Sequence, residues 1–391
     1  MVGFLRYLNS MKLLFTSIAI LLSYIIDAQD IYFDQILDKN IRTVQMQNIV
    51  PIGSSPVLEF DFINGDGPYM IAKIVHCDWD WKKSIIFENE FMSVFNEFQL
   101  NDVEASSSAY IPYYHYRFTL PKVKMSGNYV LLVYDEDNPK KKYLQRRFSV
   151  FEDRIVVSGS SILSNVVRNR FTHQQIDFQF GYNNYEIQDP YQNLHAVVRK
   201  NQRWDNAKMN LKSSYINEAN KVLKFNYFGG ESSYSGGIEY RQVFFGRQQF
   251  NVDHFEKTNE GTHYYLREDI NRSNMNYSDT PDNNGYFDID SPYDADYSHV
   301  HFTLKSDKQP NDVYVFGQLS DWNLQSYCKM DYDSTSNKYE KTILLKNGEY
   351  DFAYALDNIN KVDEVTLQGS HSETRNEYEI LIYYRPFGKV Y

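Results

Sequence analysis

The sequence predicts an all-β protein: tandem immunoglobulin-like β-sandwiches of the early-set kind, three in number. Three observations carry this prediction. Aromatic residues make up 16% of the 391 positions, with 34 Tyr and 26 Phe. Aromatic and β-branched runs separated by Gly, Asn and Ser favour strands. No stretch after residue 30 holds a helical period over three turns. Finally, one unit recurs: a strand runs into a Trp-Asx corner, and a Gly turn with a Tyr just after it enters a later strand.

The corner is clearest at Val313–Asn323, where Val-Tyr-Val-Phe is broken by Gly317 and turns at Asp321-Trp322-Asn323. All four tryptophans sit at such places. Trp79 and Trp81 follow the strand Tyr69–Cys77, Trp204 follows Leu194–Lys200, and Trp322 follows Val313–Phe316. The Gly turns at Gly127, Gly237 and Gly348 lie 110 and 111 positions apart. That spacing is close to the ~100 residues of an immunoglobulin-like sandwich. The Gly-x-Tyr entry has the form of a tyrosine corner, whose hydroxyl ties a turn to nearby backbone. Tyr129 and Tyr350 take that role, and Tyr240 is the third candidate. A single long irregular β-structure stays open as the alternative.

The expected layout is a signal peptide over 1–28, a first sandwich over 29–152 and a second over 153–271. A polar connection over 272–297 and a third sandwich over 298–391 follow. In the first, Val57–Phe62, Met70–Cys77, His115–Leu120 and Ser126–Tyr134 read as strands, with Arg146–Phe151 closing. In the second the strands are Gln175–Phe180, Leu194–Lys200 and Gly236–Phe244. In the third they are His299–Leu304, Val313–Phe316 and Asn347–Tyr354, with Tyr378–Tyr384 closing.

At the N-terminus, Lys12 precedes the apolar run Leu13–Ile26, and Ala28 supplies a small residue. The run is shorter than the ~20 residues that span a bilayer comfortably. It reads as a secretory signal peptide, with Met11 as an alternative start and an uncleaved anchor as the alternative reading. The chain is then exported. A net charge of −11 argues against nucleic acid and anionic lipid as partners. Two cysteines, Cys77 and Cys328, make no disulfide framework and read as buried apolar thiols.

Chemistry is sparse. The sequence has no nucleophile-elbow, zinc-protease, phosphate-loop or dinucleotide motif. His299 and His301 share one face of a strand, as two metal ligands would, but nothing nearby completes a set. His76 and Cys77 are adjacent on a strand and point to opposite faces. The segment 272–297 carries Asp279, Asp282, Asp288, Asp290, Asp294 and Asp296 without an EF-hand pattern, so a solvated connection is favoured over a calcium site. No catalytic residue, metal ligand or cofactor site is assigned, and no enzyme activity is expected.

Two resemblances bear on function. Val313–Asn323 with Asn347–Tyr354 resembles the early-set modules of the isoamylase and glycogen-binding type. This implies a carbohydrate-binding alternative in which Trp322 stacks on sugar. Over nearly the whole chain the sequence resembles the plug protein family of the type IX secretion system of the Bacteroidetes. The resemblance rests on Pro51-Ile-Gly53, His76-Cys-Asp-Trp79, His115–Pro121, Ser126–Val130 and Arg146-Arg-Phe148. It continues through Thr172–Phe178, Arg203–Ala207, Val313–Trp322, Gly369-Ser-His371 and Tyr383–Gly388. It implies a periplasmic, non-enzymatic protein at the inner face of the outer membrane. Such a protein binds and occludes the periplasmic mouth of the translocon barrel. On this reading Trp79, Trp204 and Trp322 build the sandwiches, and function lies on surfaces the sequence does not mark.

Overall fold

Alternation sets the two faces of some long strands, while central ones such as Lys142–Phe151 and Gly348–Asp357 are buried almost throughout. Met70–Cys77 and Tyr297–Lys305 bury every second side chain, as a sheet packed on one face requires. The computed structural model describes residues 31–386, except 108, 184 and 360. The expected export segment 1–28 and the end of the C-terminal motif, Phe387 and Gly388, lie outside the described residues. Of the described residues, 47% lie in strands and 5% in helices.

The first sandwich follows the expectation. One sheet runs Gln35–Ile36, Lys142–Phe151, Gly127–Asp135, Met70–Cys77, Phe98–Gln99, with Ile49–Pro51 parallel to Lys142–Phe151. The other runs Ile41–Met46, Val57–Ile63, Tyr113–Thr119, Asp102–Ala105. Phe60, Ile74, Leu131 and Phe148 fill the space between them. Gly127 opens its strand at φ +143°, and a Cβ there would stand 2.8 Å from the His76 ring.

The middle and third sandwiches are divided differently from the expectation. The middle one has a five-stranded sheet built on Val157–Leu163, His173–Gly181, Val222–Phe225 and Tyr215–Asn217, with Ser233–Ser235 beside His173–Gly181. Its partner sheet is Lys208–Leu211, Leu194–Lys200, Tyr378–Tyr384. Tyr378–Tyr384 thus closes the middle sandwich and not the third, pairing antiparallel with Leu194–Lys200 along its whole length. Conversely, Arg241–Phe245 leaves the expected second unit and pairs with Gly348–Asp357 of the third. The segment 272–297 is not merely a connection, since Phe287–Ile289 pairs with the other edge of Gly348–Asp357. Val313–Phe316 and Val362–Asp363 also pair with that central strand.

The opposing sheet of the third sandwich runs Val252–Thr258, Gly261–Leu266, Tyr297–Lys305, Lys338–Lys346, Asp331–Asp333. Val243, Phe302, Val315 and Tyr354 lie in its core. The boundary at 271 moves back to about 240, and the third sandwich becomes an insertion in the middle one. Strand pairing is non-local, and an alternating strand fits any half-buried sheet position, so local pattern does not say which sheet a strand joins. Two covalent crossings between these sandwiches leave them less freedom than one linker would.

Deleting residues 376–391 strips Leu194–Lys200 of a neighbour along seven paired residues. Limited proteolysis of that variant is expected to cut within 153–235 while a fragment covering 35–152 survives. Equal protection of both regions would refute the closure.

Candidate interaction surface and the junction behind it

The tryptophans do not fill the sandwiches. None of the three large cores contains one. Trp81 and Trp204 meet edge to face at 4.7 Å in a separate cluster with Cys77, Val130 and Val197, between the first and middle sandwiches. Trp79 is half-buried and stacks on His195 of the middle sandwich at 4.2 Å. Trp322 meets Tyr240, Tyr286 and Phe316 edge to face. The corners therefore tie sandwiches together. Trp81 and Trp322 adopt φ of 65° and 54°, a costly left-handed backbone that aims each ring across a boundary.

The rings of Trp81, Trp204 and Trp322 are each covered by an arginine. Arg147, held by Asp34 at 2.9 Å, lies over both Trp81 and Trp204. Arg199, fully buried, lies 4.7 Å from the Trp204 ring and donates to Asn48 of the first sandwich at 2.9 Å. Arg203 lies 4.2 Å from the Trp322 ring and pairs with Glu364 at 2.7 Å and with Asp205. Burial opposes the charge of Arg203, yet Asp205 and Glu364 prevail and hold its pKa well above the ordinary value. Cation–π contacts of this kind contribute about 0.5–2 kcal/mol each. Gly285 packs on the rim of Trp322, where a Cβ would come within 2.4 Å of the ring. The Trp322 face that a sugar would stack on is occupied by Arg203, which removes the basis for reading it as an open glycan platform.

A second tie joins the first and third sandwiches. Asp61 and Lys346 are both buried, with Nζ 2.7 Å from Oδ2. Asp61 also accepts from Tyr297 at 2.7 Å and Thr43 at 3.1 Å, and lies 2.8 Å from His115 Nδ1. Lys346 donates to the Pro292 carbonyl and sits 4.0 Å from the Tyr113 ring. Burial pulls the Lys346 pKa below its ordinary value, while Asp61 opposes that shift. Beside this network, Arg146 pairs with Asp321 at 2.8 Å. A cavity of about 30 Å³ lined by Thr43, Tyr297, Asp321 and Lys346 has room for a water, not a metabolite.

The tyrosine candidates divide. Tyr129 donates to the Met125 carbonyl at 2.8 Å and Tyr350 to that of Lys346 at 2.7 Å, each four residues back. Tyr240 instead joins Arg203 and Glu364. Cys77 and Cys328 are buried free thiols, and burial pushes Cys77 up to about 12, far from a thiolate nucleophile. His299 and His301 are joined by His263 of the neighbouring strand, whose Nδ1 is 3.0 Å from His301 Nε2. Burial first, then His263, lowers the pKa of both. Among the described residues no group of three or more His, Cys, Asp or Glu is arranged to hold a metal. Asp279 pairs with Arg375, and Asp294 and Asp296 accept from Ser107 and Tyr110 of the first sandwich. Asp282 and Asp290 accept from the backbone N–H groups of Tyr240 and Arg247.

Exposed apolar residues are scattered along the chain, and two stretches hold several of the most exposed. The loop after the Trp81 corner exposes Ile85, Phe87, Val94 and Phe95, the two Phe at 76% and 77%. One end of the middle sandwich exposes Val167, Phe171 and Phe228. Exposed large side chains of this kind are candidates for contact surfaces. Sequence reasoning missed both, because loop residues carry no periodicity that separates exposed from buried positions.

Residues 35–152 match the family model of the type 9 secretion system plug protein 1st domain. A crystal structure of a hypothetical protein from Parabacteroides merdae superposes with a TM-score of 0.86 at 28% identity, covering 93% of this chain and 97% of that one. A marsupial T cell receptor aligns at 8% identity with a TM-score of 0.15, too low to bear on the fold. No curated protein matches the chain.

Replacing Lys346 with Met leaves Asp61 charged and buried, and is expected to cost about 3–5 kcal/mol by urea unfolding. Adding Asp61→Asn is expected to recover a large part of that loss; a fully additive second loss would refute the pairing. Burial, with Asp282 adding to it, raises the Asp351 carboxyl to about 7. Between about pH 4 and pH 7 the folded chain therefore holds a proton there that the unfolded chain has released. The contribution of this group is full below that window and is lost as pH rises through it. Asp351→Asn should accordingly gain on the wild-type chain from pH 4 to 7 and keep a constant lead above about 8. A stability difference independent of pH would overturn the assignment.

Proposed function

Since the first domain of this chain, residues 35–152, belongs to the type 9 secretion system plug protein family, we propose that the protein is a non-enzymatic periplasmic plug. It binds the periplasmic mouth of the outer-membrane translocon and closes the channel. The family match carries this reading, and it implies an envelope location and association with the secretion system. No helix among the described residues is long and apolar enough to cross a membrane.

The physical requirements of a seal support the proposal. A plug must resist deformation, and here buried ion pairs and arginine–tryptophan contacts lock three sandwiches against one another. It must also adhere without chemistry, and Phe87 and Phe95 are exposed aromatic anchors of the kind that dominate interface energies.

Purification of a tagged chain from detergent-solubilised outer membranes is expected to retain a large β-barrel. Phe87→Asp with Phe95→Asp should weaken that retention by about tenfold or more, the loss of one strong contact. Recovery of no barrel with the unaltered chain would defeat the proposal.

A further inference from the structure

The strand Val157–Leu163 stands at the edge of its sheet. It pairs with His173–Gly181 on one side, and among the described residues no strand pairs with the other. Six of its seven residues are exposed. Natural sheets blunt such edges with charge, proline, bulges or a covering segment. This one has none of the first three: residues 155–167, Ile-Val-Val-Ser-Gly-Ser-Ser-Ile-Leu-Ser-Asn-Val-Val, contain no charge and no proline. The register to His173–Gly181 runs without a shift. In a chain of net charge −11, a neutral run of thirteen residues, nine of them exposed, is an open template for another strand.

We propose that this edge takes up an extended segment of a partner protein by strand addition. The segment would be neutral, with large apolar residues at alternate positions. Opposite Phe180, Phe178 and Ile176, the positions Val157, Gly159 and Ser161 face the opposing sheet. Gly159 is small enough for Ile380 of that sheet to reach the strand, where a Cβ would lie 3.0 Å from it. The rim beside the edge is therefore apolar: Ile380 and Ile382 are half-buried, and Leu163 is exposed. An added strand with large alternate residues would cover that rim, while its backbone satisfies the outward N–H and C=O groups.

A second copy of the chain fits poorly. Two-fold pairing about Ser160 would set Gly159 against Ser161 and Ser158 against Ile162, leaving Val157 against Leu163 as the one pair of large apolar residues within the strand. It would also bring together two chains of charge −11. Val156, at 83% exposure, and Val167, at 84%, flank the edge and extend the surface an incoming segment would meet.

The inference rests on the plug reading for its partner, and amide hydrogen exchange separates the two. The unaltered full chain is measured alone and with detergent-solubilised outer membranes, and barrel retention is scored in parallel. Exchange over 157–163 is expected to slow at least about tenfold with the membranes, as a new hydrogen-bonded ladder requires. The variant Ser158→Lys with Ser160→Lys should lose that protection. Retained barrel with unchanged exchange overturns the edge proposal and leaves the plug reading standing. No barrel and unchanged exchange overturns both. Protection that rises with the concentration of the chain alone assigns the edge to a second copy and overturns the proposal.

Discussion

Asp61 lies in the first sandwich and Lys346 in the third, 285 residues apart, with both side chains out of water. A carboxylate in that position is unfavourable unless its charge and lone pairs are met. Here Lys346, Tyr297, Thr43 and His115 all converge on it. Such a pair adds little net stability over an apolar contact of the same volume. Its value is geometric: any rotation of the first sandwich on the third strands a buried charge. The boundary between the middle and third sandwiches carries a similar constraint in the Arg203–Glu364 pair, and arginine–tryptophan contacts add to it there and at the first boundary.

The junction gives the chain one mechanical character. The middle sandwich is closed by a strand that returns after the third has been completed. The two are therefore linked by two chain crossings, by Arg203 with Glu364 and by Tyr286 with the Asn201 carbonyl. The cores are apolar, and a few buried charges, among them Asp61, Arg199, Arg203 and Lys346, sit at the boundaries where they fix orientation. The negative net charge adds solubility without recruiting polyanions.

Much of this was legible in the residues. The Trp-Asx corners were visible, and so was the Arg203-Trp204-Asp205 run that places charge beside ring. What the corners do was not. A strand ending at a tryptophan looks the same whether the ring enters its own core or crosses to a neighbour. The partners that decide it, Arg147 for Trp81 and Arg203 for Trp322, lie 66 and 119 positions away. The Gly turns showed the same ambiguity. Gly127 and Gly348 precede tyrosines that donate to carbonyls four residues back, whereas the Gly237 turn leads to a tyrosine in an ion-pair network.

The sequence by itself determined the all-β class, the strands of the first sandwich, the Trp corners and the match of residues 35–152 to a secretion-system plug domain. Those are local properties, set by alternation, turn chemistry and motif order within short windows. Tertiary structure alone decided that Tyr378–Tyr384 belongs to the middle sandwich, that Arg241–Phe245 belongs to the third, and that the tryptophans bind sandwiches together. The reason is physical. A strand's own residues fix which side chains face inward, but hydrogen bonds from a distant segment fix which sheet it joins, and that choice is made only when the whole chain packs.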